Sequence, residues 1–458
     1  MPNPELDQIA EALRGTPFDG RAWLVGGAVR DELLGRKAGN DLDIVVIGDA
    51  AKAAKILWDK KVASIPPVTY PRFGTAMVRV GQTDIEFATA RKESYQEGSR
   101  KPEVEPATIE EDAKRRDFTV NTLMRDIFTG EIIDPLGTGK SDLDKKVLRT
   151  PLDPAETFHD DPLRMLRAVR FRWQLAFDPA PGLYDAIREE SARLKIISGE
   201  RIREELQKML ALADGHQCLK ELMDLRLMHT VAPEFEEGVG MDQGPYHHLD
   251  VWNHTLEAVA NTDPEDLTLR LAAWMHDVAK PRCRTEESDG RIRFTGHDKQ
   301  GADMARTILR RLRFPKEVIE DVALLVRHHM RLPGVDELSD TAARRLMRDL
   351  GAQTERLVKL CEADAKALKK GLKRPDFDEV RAVLHRAARQ TPPDRLKSPL
   401  TGEQIMELTG LEPGPEVGKV KRHLSDLVVE GALDPDDVES AKRQAIEFAG
   451  NRPPDKDV

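Results

Sequence analysis

Short apolar runs open the chain's organisation. LDIVVIG (42–48), TAMVRV (75–80) and TDIEFATA (83–90) are β-branched or alternating, and Gly, Pro and Asp bound them. A period of two with turn formers at both ends predicts strands. From Asp160 onward the period changes. LRMLRAVRFRWQL, GERIREELQKMLALA, HHLDVWNHTLEAVANT and TLRLAAWMHDVAK repeat apolar residues at three and four, the spacing of amphipathic helices. The pattern predicts a small α/β head over 1–145 followed by an all-α remainder. Pro and Gly clusters in EEGVGMDQGP, RPDFDE and EPGPEVG break the helical part, giving segments 146–240, 241–370 and 371–458. NRPPDKDV at the end reads as a frayed tail.

At 458 residues each segment has enough chain for a core. The three cysteines, Cys218, Cys283 and Cys361, are far apart and form no CxxC pair, so neither a disulfide frame nor a zinc ribbon is expected. No run approaches the ~20 apolar residues that cross a bilayer, and the acidic amino terminus carries no apolar core. A cytoplasmic protein with no membrane contact is expected. The net charge of -10 argues against indiscriminate coating of nucleic acid, which needs cations to replace counterions. Local basic clusters, RRLRFPK (310–316), KKGLKR (369–374) and GKVKR (418–422), leave room for RNA held along one face.

The stretch LVGGAVRDELLGRKAGNDLDIVVIG (24–48) concentrates the chemistry. On a strand, Asp41 and Asp43 point to one face while Leu42 and Ile44 face the core. Two carboxylates that close repel unless a cation lies between them, and oxygen ligands suit Mg²⁺. Gly26 and Gly27 end one strand and open a helix near Ala28, which presents backbone N–H groups to a phosphate. Arg30 in the first helical turn is placed to grip phosphate, with Asp31 to orient it.

The order strand, GG, VRD helix, DLD strand resembles the nucleotidyltransferase superfamily, in particular the class II branch of tRNA CCA-adding enzymes and bacterial poly(A) polymerases. That resemblance implies a third acid on a neighbouring strand, for which Glu86 and Asp84 compete. EDAKRRDFTVNTL matches the family's RRDFTxN segment. The resemblance gives Arg116 a nucleotide contact and gives Asp117 and Asn121 the ribose. DDPLRMLRAVRF resembles the EDxxR segment, with Asp160 at the usual Glu position. Asp161, Arg164, Arg167 and Arg170 step by three along it, as on one side of a helix. In the family the positions of Asp161 and Arg164 template the incoming base. An ionised Asp accepts from an exocyclic amine and Arg donates to ring acceptors, which admits C and A. GERIREELQKML, with Glu200 and Arg201, matches the helix-stabilising element.

Histidines and acids recur farther along: His254, His276 with Asp277, His297, His328, His329 and Asp364. The pair His276-Asp277 lies in an apolar helix, where a buried charge wants a partner or a metal. The series resembles the HD phosphohydrolases, which implies one or two divalent transition metals activating water for attack on phosphate esters. Lys280, in HDxxKP, would neutralise the phosphate. The carboxy-terminal SPLTGEQIMELTGLEPGPEVGKVKR resembles the helical end of CCA-adding enzymes that carry an HD domain.

The resemblance implies an α/β nucleotidyltransferase head, then an all-α neck, body and HD domain. Implied with it are Mg²⁺ in the head, CTP, ATP and tRNA as partners, no DNA, and addition of C, C and A to tRNA 3′ ends. A poly(A) polymerase or a CC-only or A-only enzyme shares the same head motifs. An HD phosphohydrolase with a nucleotide-sensing head is the rival from another class.

Overall fold

The computed structural model describes residues 4–36, 41–94, 103–244, 247–332, 337–369 and 371–450, so the tail 451–458 lies outside the described residues. The chain divides into two compact units, Met1–Pro233 and Glu234–Val458.

In the first unit the predicted strands form: β1 Ala22–Val25, β2 Asp41–Val46, β3 Val68–Tyr70, β4 Thr75–Val80 and β5 Thr83–Thr89. Next come β6 Arg91–Ser94, β7 Glu103–Pro106, β8 Met124–Asp126 and β9 Ile132–Ile133. Seven of these described strands pair in the order β3-β4-β5-β2-β1-β8-β9, while β6 and β7 make a separate antiparallel hairpin. Only β2 and β5 are parallel neighbours in the sheet, so it is mixed. Leu42, Ile44, Val46, Ile85 and Phe87 are buried on one face, where helices Pro4–Leu13 and Ala50–Asp59 lie. Asp49 caps the second of these helices by accepting from the Ala51 and Lys52 N–H groups.

The helical part departs from the sequence reading at one place. DDPLRMLRAVRF is not one helix but two, Pro154–Asp160 and Leu163–Leu175, with Asp161 extended between them at φ −133 and ψ 98. A residue before proline is pushed out of the helical region, and Pro162 does this to Asp161. The three-residue stepping from Asp161 to Arg164 is therefore not a helix face. Beyond Ile133 the described strands are two-residue pairs: Val147–Leu148 with Asp178–Pro179, and Thr285–Glu286 with Ile292–Arg293.

The second unit is built on helices Val251–Ala260, Leu267–Met275, His297–Arg311, Lys316–His328 and Thr354–Ala367. Trp274, Leu271, Ile308, Val322, Val326 and Leu357 fill their shared core. Gly402–Thr409, Pro415–Glu430 and Val438–Gly450 close a smaller core of Ile405, Val420, Leu424 and Ala445. No described helix is long and apolar enough to cross a membrane. All three cysteines are free thiols.

Candidate active site

The register of β2 on β5 sets Asp41 beside Asp84 and Asp43 beside Glu86. Asp43 and Glu86 are exposed on the face opposite the buried Leu42 and Ile85. The side chain of Asp41, first residue of β2, lies outside what the structure describes. Asp84 is engaged elsewhere: Arg79 on β4 donates to it from Nε at 2.6 Å and Nη2 at 2.9 Å. Glu86 has no hydrogen-bond or ion-pair partner among the described residues. Two neighbouring carboxylates without a bridging cation are a poor arrangement unless one binds, and an all-oxygen donor set fits Mg²⁺. Gly26 stands beside Asp43 at φ 72 and ψ −138, a backbone that side-chain-bearing residues rarely adopt, and a Cβ there would stand 3.8 Å from Asp43 Oδ2.

One hydrogen-bonded network takes up four of the residues expected to touch nucleotide, Arg30, Asp117, Asn121 and Arg167. Arg30 does not extend toward solvent. It donates to both oxygens of Asp31 at 2.9 Å and from Nη1 to Asn121 Oδ1 at 2.7 Å. Asn121 Nδ2 donates to Asp117 Oδ1 at 3.0 Å, and Arg167 Nε donates to Asp117 Oδ2 at 2.8 Å. Burial pushes the Asp117 carboxyl up, but the Arg167 charge and the hydrogen bonds from Asn121 and Arg167 outweigh it and bring it to about 2. Asp117 is ionised at any working pH. Arg164 Nη2 donates to the Arg115 carbonyl at 2.5 Å, beside the same network.

Arg170, expected on the nucleotide side, has an acid partner of its own. It is buried, and its Nε reaches Glu205 Oε2 at 2.6 Å from the helix Gly199–Leu210. Arg167, one step earlier on Arg170's own helix, also approaches Glu205, with Nη1 3.7 Å from Oε1. The helix of Glu205 also brings Arg201 Nη2 to Asp161 Oδ2 at 2.9 Å, which fixes Asp161 in its extended linker. Arg116 pairs with the fully buried Asp112 through Nε at 3.1 Å and Nη2 at 2.8 Å. Neither Asp112 nor Glu205 was anticipated. Asp112 had a signal, since it precedes Arg115 and Arg116 by three and four residues, the pairing distances of a helix.

In the second unit six of the seven predicted ligands converge. His254 Nε2 lies 2.9 Å from Asp364 Oδ1, and His276 Nε2 lies 3.1 Å from Asp277 Oδ2. His297 Nε2 and His329 Nε2 approach Asp277 Oδ1 at 3.5 and 3.7 Å. His328 is not among them. It is half-buried at the end of its helix, whereas adjacent His329, which opens the single turn His329–Arg331, is buried. The Nδ1 atoms of His276, His297 and His329 sit 2.8, 2.7 and 2.7 Å from the carbonyls of Ala273, Phe294 and Val326. Carbonyls only accept, so each ring carries a proton on Nδ1 and turns its Nε2 inward.

Two observations say that this cluster fits a metal. His276 Nε2 and Asp277 Oδ1 are buried without a hydrogen-bond partner among the described residues. The triads His254, His276, Asp277 and Asp277, His297, His329 each gather their donor atoms within 4.8 Å. Nitrogen and carboxylate donors suit divalent transition ions. Burial opposes ionisation of Asp277, but His276 and Lys280 hold its carboxyl well below the usual range. Lys280 Nζ lies 2.6 Å from Asp277 Oδ2 and donates to Gln243 Oε1 at 2.7 Å. The cluster floors a cavity of about 640 Å³ whose walls include Phe294, Met330 and Lys373.

Family models match three stretches: the Poly A polymerase head domain over residues 22–149, the probable RNA and SrmB- binding site of polymerase A over 176–238, and the HD domain over 246–368. An A-adding tRNA nucleotidyltransferase of Deinococcus radiodurans is 34% identical over 426 residues, covering 90% of this chain and 92% of that protein. A CC-adding tRNA nucleotidyltransferase of Thermus thermophilus is 35% identical over 429 residues, 91% of each. Among solved structures, the Bacillus stearothermophilus CCA-adding enzyme in complex with CTP superposes at a TM-score of 0.69 with 24% identity, covering 98% of both chains. At that identity it establishes the fold.

Proposed function

Since this chain belongs to the tRNA nucleotidyltransferase and poly(A) polymerase family, we propose that it extends the 3′ end of tRNA in the cytoplasm, adding C, C and A from CTP and ATP and releasing pyrophosphate. The observation that carries the reading is the Asp43–Glu86 pair, exposed side by side on β2 and β5, with Gly26 beside Asp43. Asp41 and Asp43, with Glu86, would hold Mg²⁺, which when bound supplies a lower pKa for the ribose 3′-hydroxyl and neutralises phosphate charge. The side chains do the positioning. Ionised Asp117, with Asn121 beside it, offers acceptors for a ribose 2′-hydroxyl. Arg30 and Arg167 fix both, so the site is organised before the nucleotide enters. Asp161 accepts from the amine of C or A, and Arg164 donates beside it.

Asp161→Ala is expected to lower kcat/KM for CTP and ATP by roughly tenfold to a hundredfold, the value of one good paired base contact, while UTP use changes little. Comparing kcat/KM for four nucleotides on one acceptor checks this. An unchanged preference ratio would place base choice elsewhere.

A second reading has its own support, because the A-adding and CC-adding relatives each match about nine-tenths of the chain. Acceptors ending at the unpaired base before CCA, at C, and at CC separate the readings. The full enzyme extends all three with both nucleotides, a CC-adding enzyme stops before A, and an A-adding enzyme extends only the CC end. Continued A addition to any RNA would identify a poly(A) polymerase.

The second unit supports a further hydrolytic activity on phosphate esters. Its residues would hold one or two divalent ions through His254, His276, Asp277, His297, His329 and Asp364, which when bound activate water. Lys280 and Lys373 on the cavity wall supply positive charge toward a phosphate.

A further inference from the structure

The two flanks of the Asp43–Glu86 pair differ. This inference rests on the nucleotide-addition reading. Asp43 and Glu86 stand on β2 and β5, in the middle of the sheet. Toward β1 and β8 lies the nucleotide network, because Arg30 is on the helix after β1 and its partner Asn121 just precedes β8. Attacking and leaving oxygens in phosphoryl transfer are roughly in line. With the nucleotide on that side, the acceptor enters from β4 and β3.

The register carries the same face outward in that direction. Asp43, Glu86, Met77 and Val68 form one row across four strands. Ala88, Thr75 and Tyr70 form the next. β3 is the edge strand and all three of its residues are exposed. Val68 is 42% exposed, Tyr70 46%, and Phe73 57% in the single turn Pro71–Phe73 that follows. Three of the nine large apolar side chains exposed among the described residues thus fall within six positions, so the patch is a cluster and not scatter. Edge strands are ordinarily blunted by charge; this one displays Tyr70 on the face of the Asp43–Glu86 pair, and Phe73 follows it in the next turn.

We propose that Tyr70 and Phe73 form a stacking platform for the unpaired bases at the acceptor end of the RNA. Aromatic faces take any base, which suits an enzyme that must accept tRNAs of differing sequence. β3 is three strand spacings from β2, ~14 Å at ~4.8 Å each. That is about four stacked bases at ~3.4 Å, so a terminal hydroxyl at Asp43 leaves the preceding bases over β3.

The test compares Tyr70→Ala, Phe73→Ala, their double and Tyr70→Trp, all at exposed positions, with wild type. The KM for tRNA should rise roughly five- to hundredfold in the double variant, the range of lost base stacking, with the KM for CTP unchanged and Tyr70→Trp near wild type. 2-Aminopurine in the unpaired acceptor end should be quenched on binding wild type and stay bright with the double variant. Wild-type tRNA KM and quenching in the double variant overturn the platform. So does a loss confined to the CTP KM, or loss of self-association without change in tRNA KM. A wild-type chain that does not extend tRNA overturns the nucleotide-addition reading instead.

Discussion

Asp43→Ala is expected to lower kcat for nucleotide addition about a thousandfold. A metal ion at a phosphoryl centre supplies several kcal/mol of transition-state stabilisation, and each ~1.36 kcal/mol is a factor of ten. The position makes this a clean loss of chemistry. Asp43 is exposed on β2 while its neighbours Leu42 and Ile44 carry the buried face, so truncation opens no cavity. Surface changes of this kind usually stay within ~0.5 kcal/mol of wild-type stability. Steady-state kcat with saturating tRNA and CTP, beside a thermal melt, checks both halves. A folded variant within tenfold of wild type contradicts the assignment.

Asp277→Asn is expected to remove bound metal from the second unit and abolish phosphate-ester hydrolysis, leaving nucleotide addition in place. Asp277 belongs to both ligand triads, so one substitution weakens both. It also strips the charge facing Lys280, and a buried cation left without its partner typically costs ~3–5 kcal/mol, so the melting temperature should fall too. His297→Ala, at a ligand outside the triad of His254 and His276, gives an independent variant should Asp277→Asn fold poorly. Metal content by mass spectrometry and hydrolysis of a nitrophenyl phosphodiester with Mn²⁺, Ni²⁺ or Co²⁺ are the readouts. Wild-type metal content in both variants, or no metal and no hydrolysis in wild type, would make the cluster structural.

What the sequence could say depended on whether the information was local. The alternation in DLDIVVIG and the GG before a helix are local, and the strand, turn and helix follow them. Choosing between Asp84 and Glu86 was not local, because residues two apart share a face. Their difference lies across the strand pair, where Arg79 occupies Asp84 and leaves Glu86 beside Asp43. Pro162 was visible, yet the three-residue stepping of the arginines hid the break it imposes at Asp161. The adjacent histidines at 328 and 329 looked equivalent in the sequence, while helix geometry admits one of them to the cluster. Glu205 was legible only as a helix residue, since its role comes from packing against Arg170 thirty-five positions earlier.

The proposed reaction is nucleotide addition to tRNA by the carboxylate face of β2 and β5. Purified chain, a tRNA lacking its 3′ CCA, CTP, ATP and Mg²⁺, with products resolved to single nucleotides beside Asp43→Ala, tests it most directly. A product three nucleotides longer is expected from wild type, and unextended tRNA from the variant in the same time. Unextended tRNA in both lanes, or equal extension in both, would contradict it.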